Sequence, residues 1–294
     1  MADFQAFALD ALQVSVLPSS ITESRSRAGV QRVSTATGES AYLKLTAATT
    51  GRDGVDAARR ELRFYQHVAA GAPLRTPKLL GFLDTEDGIG LLLEATGDSV
   101  EIHSWTQDMW TELGGALAKL HDMPVPATWD KSRRDGLLEA MADPDEDQVR
   151  AFWSSSLSQL DQILAERAAL SDQLMAAPEV FVHGDCHTGN VLQAEDASLV
   201  FCDWQSTGLG RPSSDLAFLM VRAAPSGVVP PRALLDAYSQ ASPARGHTLD
   251  RSVLAEELAI LVFLWPPFAA YNDERGVIRV RQRTSQRADQ WLAG

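Results

Sequence analysis

The segment His183-Gly184-Asp185-Cys186-His187-Thr188-Gly189-Asn190, with Asp203 thirteen residues beyond Asn190, brings two carboxylates and an amide onto one loop and the hairpin that follows it. Phosphoryl transfer needs such a set. One carboxylate orients an attacking hydroxyl and takes its proton, while a second carboxylate and an amide oxygen hold magnesium on the phosphates. Magnesium favours hard oxygen donors and few protein ligands, leaving room for substrate phosphates. Two other readings of the same residues stand beside this one. Asp and Asn favour turns, and His183, Cys186 and His187 are residue types that bind zinc, which would make the chain a zinc hydrolase. A zinc site draws ligands at recognisable spacing from more than one segment, and Cys202 is the one other thiol in the chain.

The elements that must position these groups follow from patterning. Residues 29–45, GVQRVSTATGESAYLKL, are two β-rich runs around a Thr-Gly-Glu-Ser turn, which predicts a hairpin. On its second strand Leu43 and Leu45 share one face and Tyr42, Lys44 and Thr46 the other. Residues 55–70 read as a helix with Glu61, Tyr65 and Val68 on one stripe, where the carboxylate needs a partner or an exposed edge. Residues 77–94 read as two strands around an acidic turn, and 95–99 as a linker. A helix is predicted from Ser104, with a Ser104…Gln107 capping-box spacing. The Pro-broken, acidic residues 124–147 read as loop, 151–176 as helix, 191–205 as a second hairpin, and the remainder from Asp215 to Trp291 as amphipathic helix. The reading is an α+β chain of two lobes facing a cleft: strand-rich 1–93, a hinge at 94–98 and mainly helical 99–294.

His183-Gly184-Asp185…Asn190 followed by Phe201-Cys202-Asp203-Trp204 resembles the aminoglycoside phosphotransferase family, whose fold is similar to that of protein kinases. The order of the remaining features agrees over roughly residues 25–220. The resemblance implies a bilobal kinase-like fold with a nucleotide-binding N-terminal lobe and a catalytic, substrate-binding C-terminal lobe. It implies magnesium and ATP or GTP as cofactors. By it Asp185 is the base, His183 braces the loop, Asn190 and Asp203 hold the metal, Lys44 holds the α- and β-phosphates and Glu61 pairs with Lys44. Leu93, Glu94 and Ala95 fall in the hinge beside the adenine, and Asp215 ties the catalytic loop down, although an Asp before an apolar run also serves as a helix cap. Residues 117–124, LAKLHDMP, resemble the family's helix end before the substrate lobe. Two departures stand out: Gly210-Arg211-Pro212 replaces the usual Gly-Asp-Pro, and no GxGxxG loop exists, leaving Gly29, with Ser24 and Ser26, for the phosphate-covering turn.

The remaining chemistry narrows by elimination. None of Lys44, Lys78, Lys119 or Lys131 follows a glycine, which excludes a P-loop kinase. A kinase fold that binds nucleotide without turnover usually lacks the base or a metal ligand, whereas this chain has the full set. A net charge of -13 disfavours nucleic acid, which is bound by neutralising phosphates. Residues 1–93 balance ten acidic against ten basic side chains, so the whole excess lies beyond them, where it serves solubility or suits a cationic small molecule. The acceptor implied is a hydroxylated small molecule, an aminoglycoside or other antibiotic first, and a sugar, amino alcohol or homoserine second. Asp108, Glu256, Glu257, Asp273, Glu274, Trp265, Phe268 and Tyr271 are available to recognise it.

Two cysteines give no disulfide framework, and the opening residues carry Asp3 and Asp10 without a basic leader, so a cytoplasmic protein is expected. The longest apolar stretch, 258–270, is interrupted by Pro266-Pro267 and is too short to span a bilayer. A monomer or homodimer is expected.

Overall fold

The computed structural model describes residues 2–18, 22–23, 29–126, 129 and 135–294; Ser24 and Ser26, two candidates for the phosphate-covering turn, lie outside them. The chain divides into two compact units, residues 1–98 with 192–207, and residues 99–191 with 208–294. The second hairpin thus groups with the strand-rich unit although it lies far along the chain.

The first unit runs α1 (Ala2–Ala11), β1 (Ser15–Val16), β2 (Thr22–Glu23), β3 (Gly29–Ser34), β4 (Ser40–Ala47), α2 (Arg52–His67), β5 (Leu79–Thr85) and β6 (Gly88–Glu94). Its sheet has the order β1-β3-β4-β6-β5, with β2 also paired to β3. Alternation along β4 decides what each face does. Ala41, Leu43, Leu45 and Ala47 enter a core with Val33 and Leu92 that Phe4 and Ala8 of α1 close. Lys44 and Thr46, on the other face, are buried as well. Helix α2 places Ala58, Glu61, Leu62, Phe64 and Tyr65 inside, as its apolar spacing requires.

The second unit begins after β7 (Asp98–Ser99). It contains α3 (Gln107–Asp122), α4 (Gly136–Ala142), α5 (Glu146–Trp153), α6 (Leu160–Ala165), α7 (Arg167–Met175) and β8 (Val180–Val182). β9 (Val191–Gln193) and β10 (Leu199–Phe201) form the second hairpin, after which β11 (Gly208–Gly210), α8 (Pro212–Ala223), α9 (Arg232–Ala241), α10 (Pro243–Ala259) and α11 (Glu274–Leu292) complete the chain. β8 and β11 pair antiparallel on either side of the residues that carry chemistry. A large apolar core built around Trp153, Ile163, Leu261 and Val280 holds the helices together.

Three expectations change, the first being that 151–176, read as helix, is interrupted: α5 ends at Trp153 and the shorter α6 and α7 follow. Helix α3 starts at Gln107 with Thr106 as its cap, because the Thr106 hydroxyl accepts the Met109 N–H, while Ser104 belongs to a preceding 3-10 turn. Within 124–147, expected to be loop, α4 forms because Asp135 accepts the N–H groups of Leu137 and Leu138, and Asp145 caps α5 through Gln148. The acidic residues there act as helix caps rather than as breakers.

A close approach of α3 to α9 in the second unit tests this packing. A Cβ on Gly114 of α3 would lie 2.1 Å from the Leu234 carbonyl oxygen of α9, whereas one on Gly115 would meet nothing within 4 Å. Gly114→Ala is therefore predicted to lower stability by about 1–3 kcal/mol in urea unfolding. Gly115→Ala is predicted to be neutral or to stabilise by up to about 1 kcal/mol, since it removes helix-opposing freedom without a clash.

Candidate active site

In the first unit the Lys44 Nζ lies 2.6 Å from Glu61 Oε2 and 2.7 Å from Asp203 Oδ1. β4 presents the lysine and α2 the glutamate; Asp203 follows the hairpin β9–β10. Lys44 is buried and Glu61 has no exposure. Burial works against the ammonium, but the two carboxylates outweigh it and hold the Lys44 pKa well above its ordinary value. Burial likewise pushes the Glu61 carboxyl up, against the pull of Lys44. The second Glu61 oxygen accepts the Trp204 N–H at 3.3 Å.

Asp203 adopts a left-handed backbone, φ 64° and ψ 64°, which Asp tolerates better than most residues. Two contacts hold the turn after it. The Trp204 ring stacks on Phe64 of α2 with centroids 3.8 Å apart and planes 9° apart, and Arg60 donates to the Gln205 carbonyl at 2.8 Å. The turn that carries Asp203 is therefore anchored to the helix that carries Glu61. Lys44 takes one of its carboxylate oxygens; the other has no protein partner among the described residues, and the side chain is 24% exposed. A hard oxygen in that setting fits a divalent cation completed by phosphate oxygens.

The second unit holds the loop after β8. Gly184 has φ 81°, a conformation in which glycine pays no steric penalty, and the turn lets two successive N–H groups face one carboxylate. His183 N and Gly184 N each donate to Asp215 at 2.8 Å, one to each oxygen. Asp215 lies in the first turn of α8, yet both its oxygens go to the loop, so its work is not helix capping. It also takes His121 Nε2 at 3.1 Å, and His121 Nδ1 lies 2.8 Å from the Tyr238 hydroxyl. Burial opposes the charge on Asp215, but His121 and the loop N–H groups prevail and hold its pKa below the usual carboxylate range.

Further along, His183 Nδ1 accepts the Asp185 N–H at 3.3 Å. Asn190 Nδ2 donates to the Asp185 carbonyl at 2.9 Å and to its carboxylate at 3.2 Å, so the loop is closed by the same two residues assigned as base and metal ligand. The opposite amide atom of Asn190, an oxygen, is the hard donor a cation would use. The three residues that suggested zinc are turned to other tasks. His183 serves Asp185, His187 accepts the Gly189 N–H at 3.1 Å, and burial pushes the Cys186 thiol well up. Cys202 is likewise pushed up to about 12 by burial; both thiols stay protonated.

The other sequence candidates separate from these clusters. Gly29 opens β3 opposite Leu45, and Leu93 pairs with Tyr42 on β6, two residues beyond the partner of Lys44. The Glu94 carboxylate is engaged with Lys78, 3.6 Å from its Nζ, and Ala95 follows the strand end half-buried. Two acidic residues offered for substrate recognition prove internal. Glu256 binds Arg211 at 2.6 Å, and Glu257 binds Arg283 and Arg287 at 2.6 and 2.7 Å; buried carboxylates require such partners. Arg211, which replaces the usual Asp, also contacts Asp135. Asp273 caps α11 through the Gly276 N–H and Trp265 is buried, whereas Phe268 and Tyr271 are exposed. Tyr238 and Arg211 were not foreseen as supports; the apolar i, i+4 spacing of Leu234 and Tyr238 was the available signal.

A profile of the phosphotransferase enzyme family matches residues 21–249. No curated protein matches the sequence. Among solved structures, a microcompartment-associated aminopropanol kinase superposes with TM-score 0.65 at 13% identity, covering 98% of both chains. A macrolide 2'-phosphotransferase from Brachybacterium faecium gives 0.61 at 17% identity, again over 98% of both. An amicoumacin kinase in complex with AMP-PNP and Ca2+ gives 0.60 at 14%, covering 97% of this chain and 94% of that one. These likenesses establish the kinase-like fold.

Asp215→Asn is predicted to lower stability by about 1–3 kcal/mol near neutral pH, because a buried N–H then faces an amide that cannot accept it. A depressed carboxyl contributes stability that is fully present above its unfolded pKa and lost as pH falls through the folded one. Acid unfolding of Asp215→Asn, followed by circular dichroism, should therefore fall less steeply below about pH 4 than that of the parent.

Proposed function

The chain belongs to the phosphotransferase enzyme family and is a small-molecule phosphotransferase; on that premise we propose that it transfers the γ-phosphoryl group of ATP or GTP to a hydroxyl of a small, hydroxylated and cationic acceptor, an aminoglycoside or other antibiotic first. The observation that carries this reading is Lys44 buried between Glu61 and Asp203, a charged donor held in place for phosphate oxygens. The first unit is the nucleotide-binding lobe in this proposal, with Gly29 in the turn that covers the phosphates and Leu93, Glu94 and Ala95 beside the base. The second unit supplies the catalytic loop and the acceptor site.

In the proposed reaction the acceptor hydroxyl oxygen attacks the γ-phosphorus in line as the bond to the β-phosphate oxygen breaks, and the hydroxyl proton passes to the Asp185 carboxylate. Asn190 fixes that carboxylate by its hydrogen bond, and His183 fixes the backbone N–H beneath it. Lys44 orients the α- and β-phosphates, with Glu61 keeping its ammonium in place. Magnesium, which Asp203 and Asn190 would hold, supplies neutralisation of phosphate charge. Orientation of the two substrates is the main contribution asked of the protein.

A second acceptor class, an amino alcohol, sugar or similar metabolite, is favoured by the likeness to the aminopropanol kinase. The acidic excess beyond residue 93 favours a cation in either case. A cytoplasmic location fits the need for nucleoside triphosphate and the two protonated thiols, and no helix among the described residues is long and apolar enough to cross a membrane.

Purified protein should consume ATP or GTP in the presence of magnesium when offered the right member of a panel of aminoglycosides, macrolides, sugars and amino alcohols. Asp185→Ala should lower kcat at least about 10²-fold while leaving nucleotide affinity within about threefold. Turnover unchanged by this substitution would remove Asp185 from the role of base. Phosphorylation of amino alcohols but of no antibiotic would replace the first acceptor class by the second.

A further inference from the structure

The proposed reaction uses Asp185 and Asn190 of the loop after β8 and gives His187, which stands between them, no task toward the substrates. Cys186 has no exposure, while Asp185 and His187 on either side of it are half-buried. The backbone at His187 is extended, φ -152° and ψ 165°, and successive side chains of an extended chain point to opposite sides. Asp185 and His187 are thus presented together on the side that Cys186 turns away from.

The imidazole is held in one orientation. Its Nδ1 accepts the Gly189 N–H at 3.1 Å, and the Phe218 ring of α8 lies beside it, centroids 6.4 Å apart. Gly189 leaves room for the ring: a Cβ there would lie 2.9 Å from His187 Cε1 and 3.1 Å from Nδ1. Because Nδ1 accepts, the ring proton is on Nε2, which makes that nitrogen a donor. The His187 carbonyl accepts the Asn190 N–H at 2.8 Å, and the Asn190 amide donates to the Asp185 carboxylate at 3.2 Å. Hydrogen bonds therefore tie the imidazole, the amide and the carboxylate into one group.

In the proposed reaction the γ-phosphoryl group comes to the side of the loop that presents Asp185, where the acceptor hydroxyl loses its proton. A carboxylate alone there would repel the phosphoryl oxygens, and a fixed hydrogen-bond donor beside it offsets that repulsion. We propose that His187 is a catalytic residue whose Nε2–H donates to an oxygen of the γ-phosphoryl group. The proton stays on the ring, so the bonds made and broken are those of the transfer already described. The inference rests on the kinase reading and goes beyond it, because it assigns a substrate contact to a residue that reading leaves idle and explains why residue 189 carries no side chain.

The test is calorimetric titration of AMP-PNP and of ADP, each with magnesium, into the full chain and into His187→Ala, His187→Gln, Gly189→Ala and the double variant of His187→Ala with Gly189→Ala. His187→Ala should lower AMP-PNP affinity about tenfold, as expected for losing a hydrogen bond to a charged group, and leave ADP, which has no γ-phosphoryl group, within about twofold. His187→Gln, whose amide donates from nearly the same place, should stay within about threefold of the parent for both nucleotides. Gly189→Ala should reproduce the loss for AMP-PNP and add nothing to His187→Ala, because its methyl acts by displacing the ring. Equal AMP-PNP affinity in parent and His187→Ala would overturn the inference. So would a matching loss for ADP, which marks a structural role, or a further loss when Gly189→Ala is added to His187→Ala. A parent that binds neither nucleotide would overturn the kinase reading and this inference with it, whereas a parent that binds both alongside an indifferent His187→Ala removes His187 alone.

Discussion

An ammonium taken out of water is held only by charges of opposite sign, since desolvation of one ion is more costly than any single neutral contact can offset. Lys44 is such a group, and the arrangement of the first unit follows from it. Glu61 must be on the inner stripe of α2, α2 must cross the face of the sheet that β4 does not give to the apolar core, and Asp203 must return from far along the chain to meet both. The left-handed backbone at Asp203, the stacked Phe64 and Trp204 rings and the Arg60 contact with Gln205 hold that return in place. A cluster of one cation and two carboxylates is net negative, so in the proposed reading the phosphates need a divalent cation beside Lys44, and Asp203 keeps one carboxylate oxygen that could take it.

The second unit answers a different constraint. The loop after β8 exposes two successive backbone N–H groups inside the protein, and buried donors must find acceptors. Asp215 gives one oxygen to each. Its own charge is then balanced through His121, which leans on Tyr238, so helices α3, α8 and α9 all bear on two peptide groups. Asp185 and Asn190 stand just beyond this anchor and are bonded to each other. A relay of hydrogen bonds thus ties Asp185 and Asn190 to the helices behind them.

Much of this was legible in the residues. The period of two along 42–46 separated Lys44 from Leu43 and Leu45, and the helical stripe through Glu61 called for a partner or an exposed edge; that the two pair was what the family resemblance implied. The loop around Asp185 and the two hairpins were marked by turn residues and β-rich flanks. What could not be read were long-range partners. Nothing local in Arg211 shows that Glu256 and Asp135 will receive it, and Glu256 and Glu257 looked like surface acids because their arginines lie elsewhere in the chain. Helix α4 escaped notice because prolines on both sides masked a short apolar pattern that a single cap, Asp135, suffices to start. The capping-box spacing Ser104…Gln107 misled for α3: the cap is Thr106, whose hydroxyl takes the Met109 N–H without a Glu or Gln three residues on, while Ser104 sits in a 3-10 turn.

The central claim is that Lys44 and Asp203 are arranged for a nucleotide and its divalent cation. Calorimetric titration of AMP-PNP, with and without magnesium, into the parent protein and into Lys44→Met and Asp203→Asn tests it most directly. The account predicts binding by the parent that magnesium strengthens, a loss of at least about tenfold in Lys44→Met, and a loss of the magnesium dependence in Asp203→Asn. A parent that does not bind the nucleotide, or variants that bind it as the parent does, would contradict it.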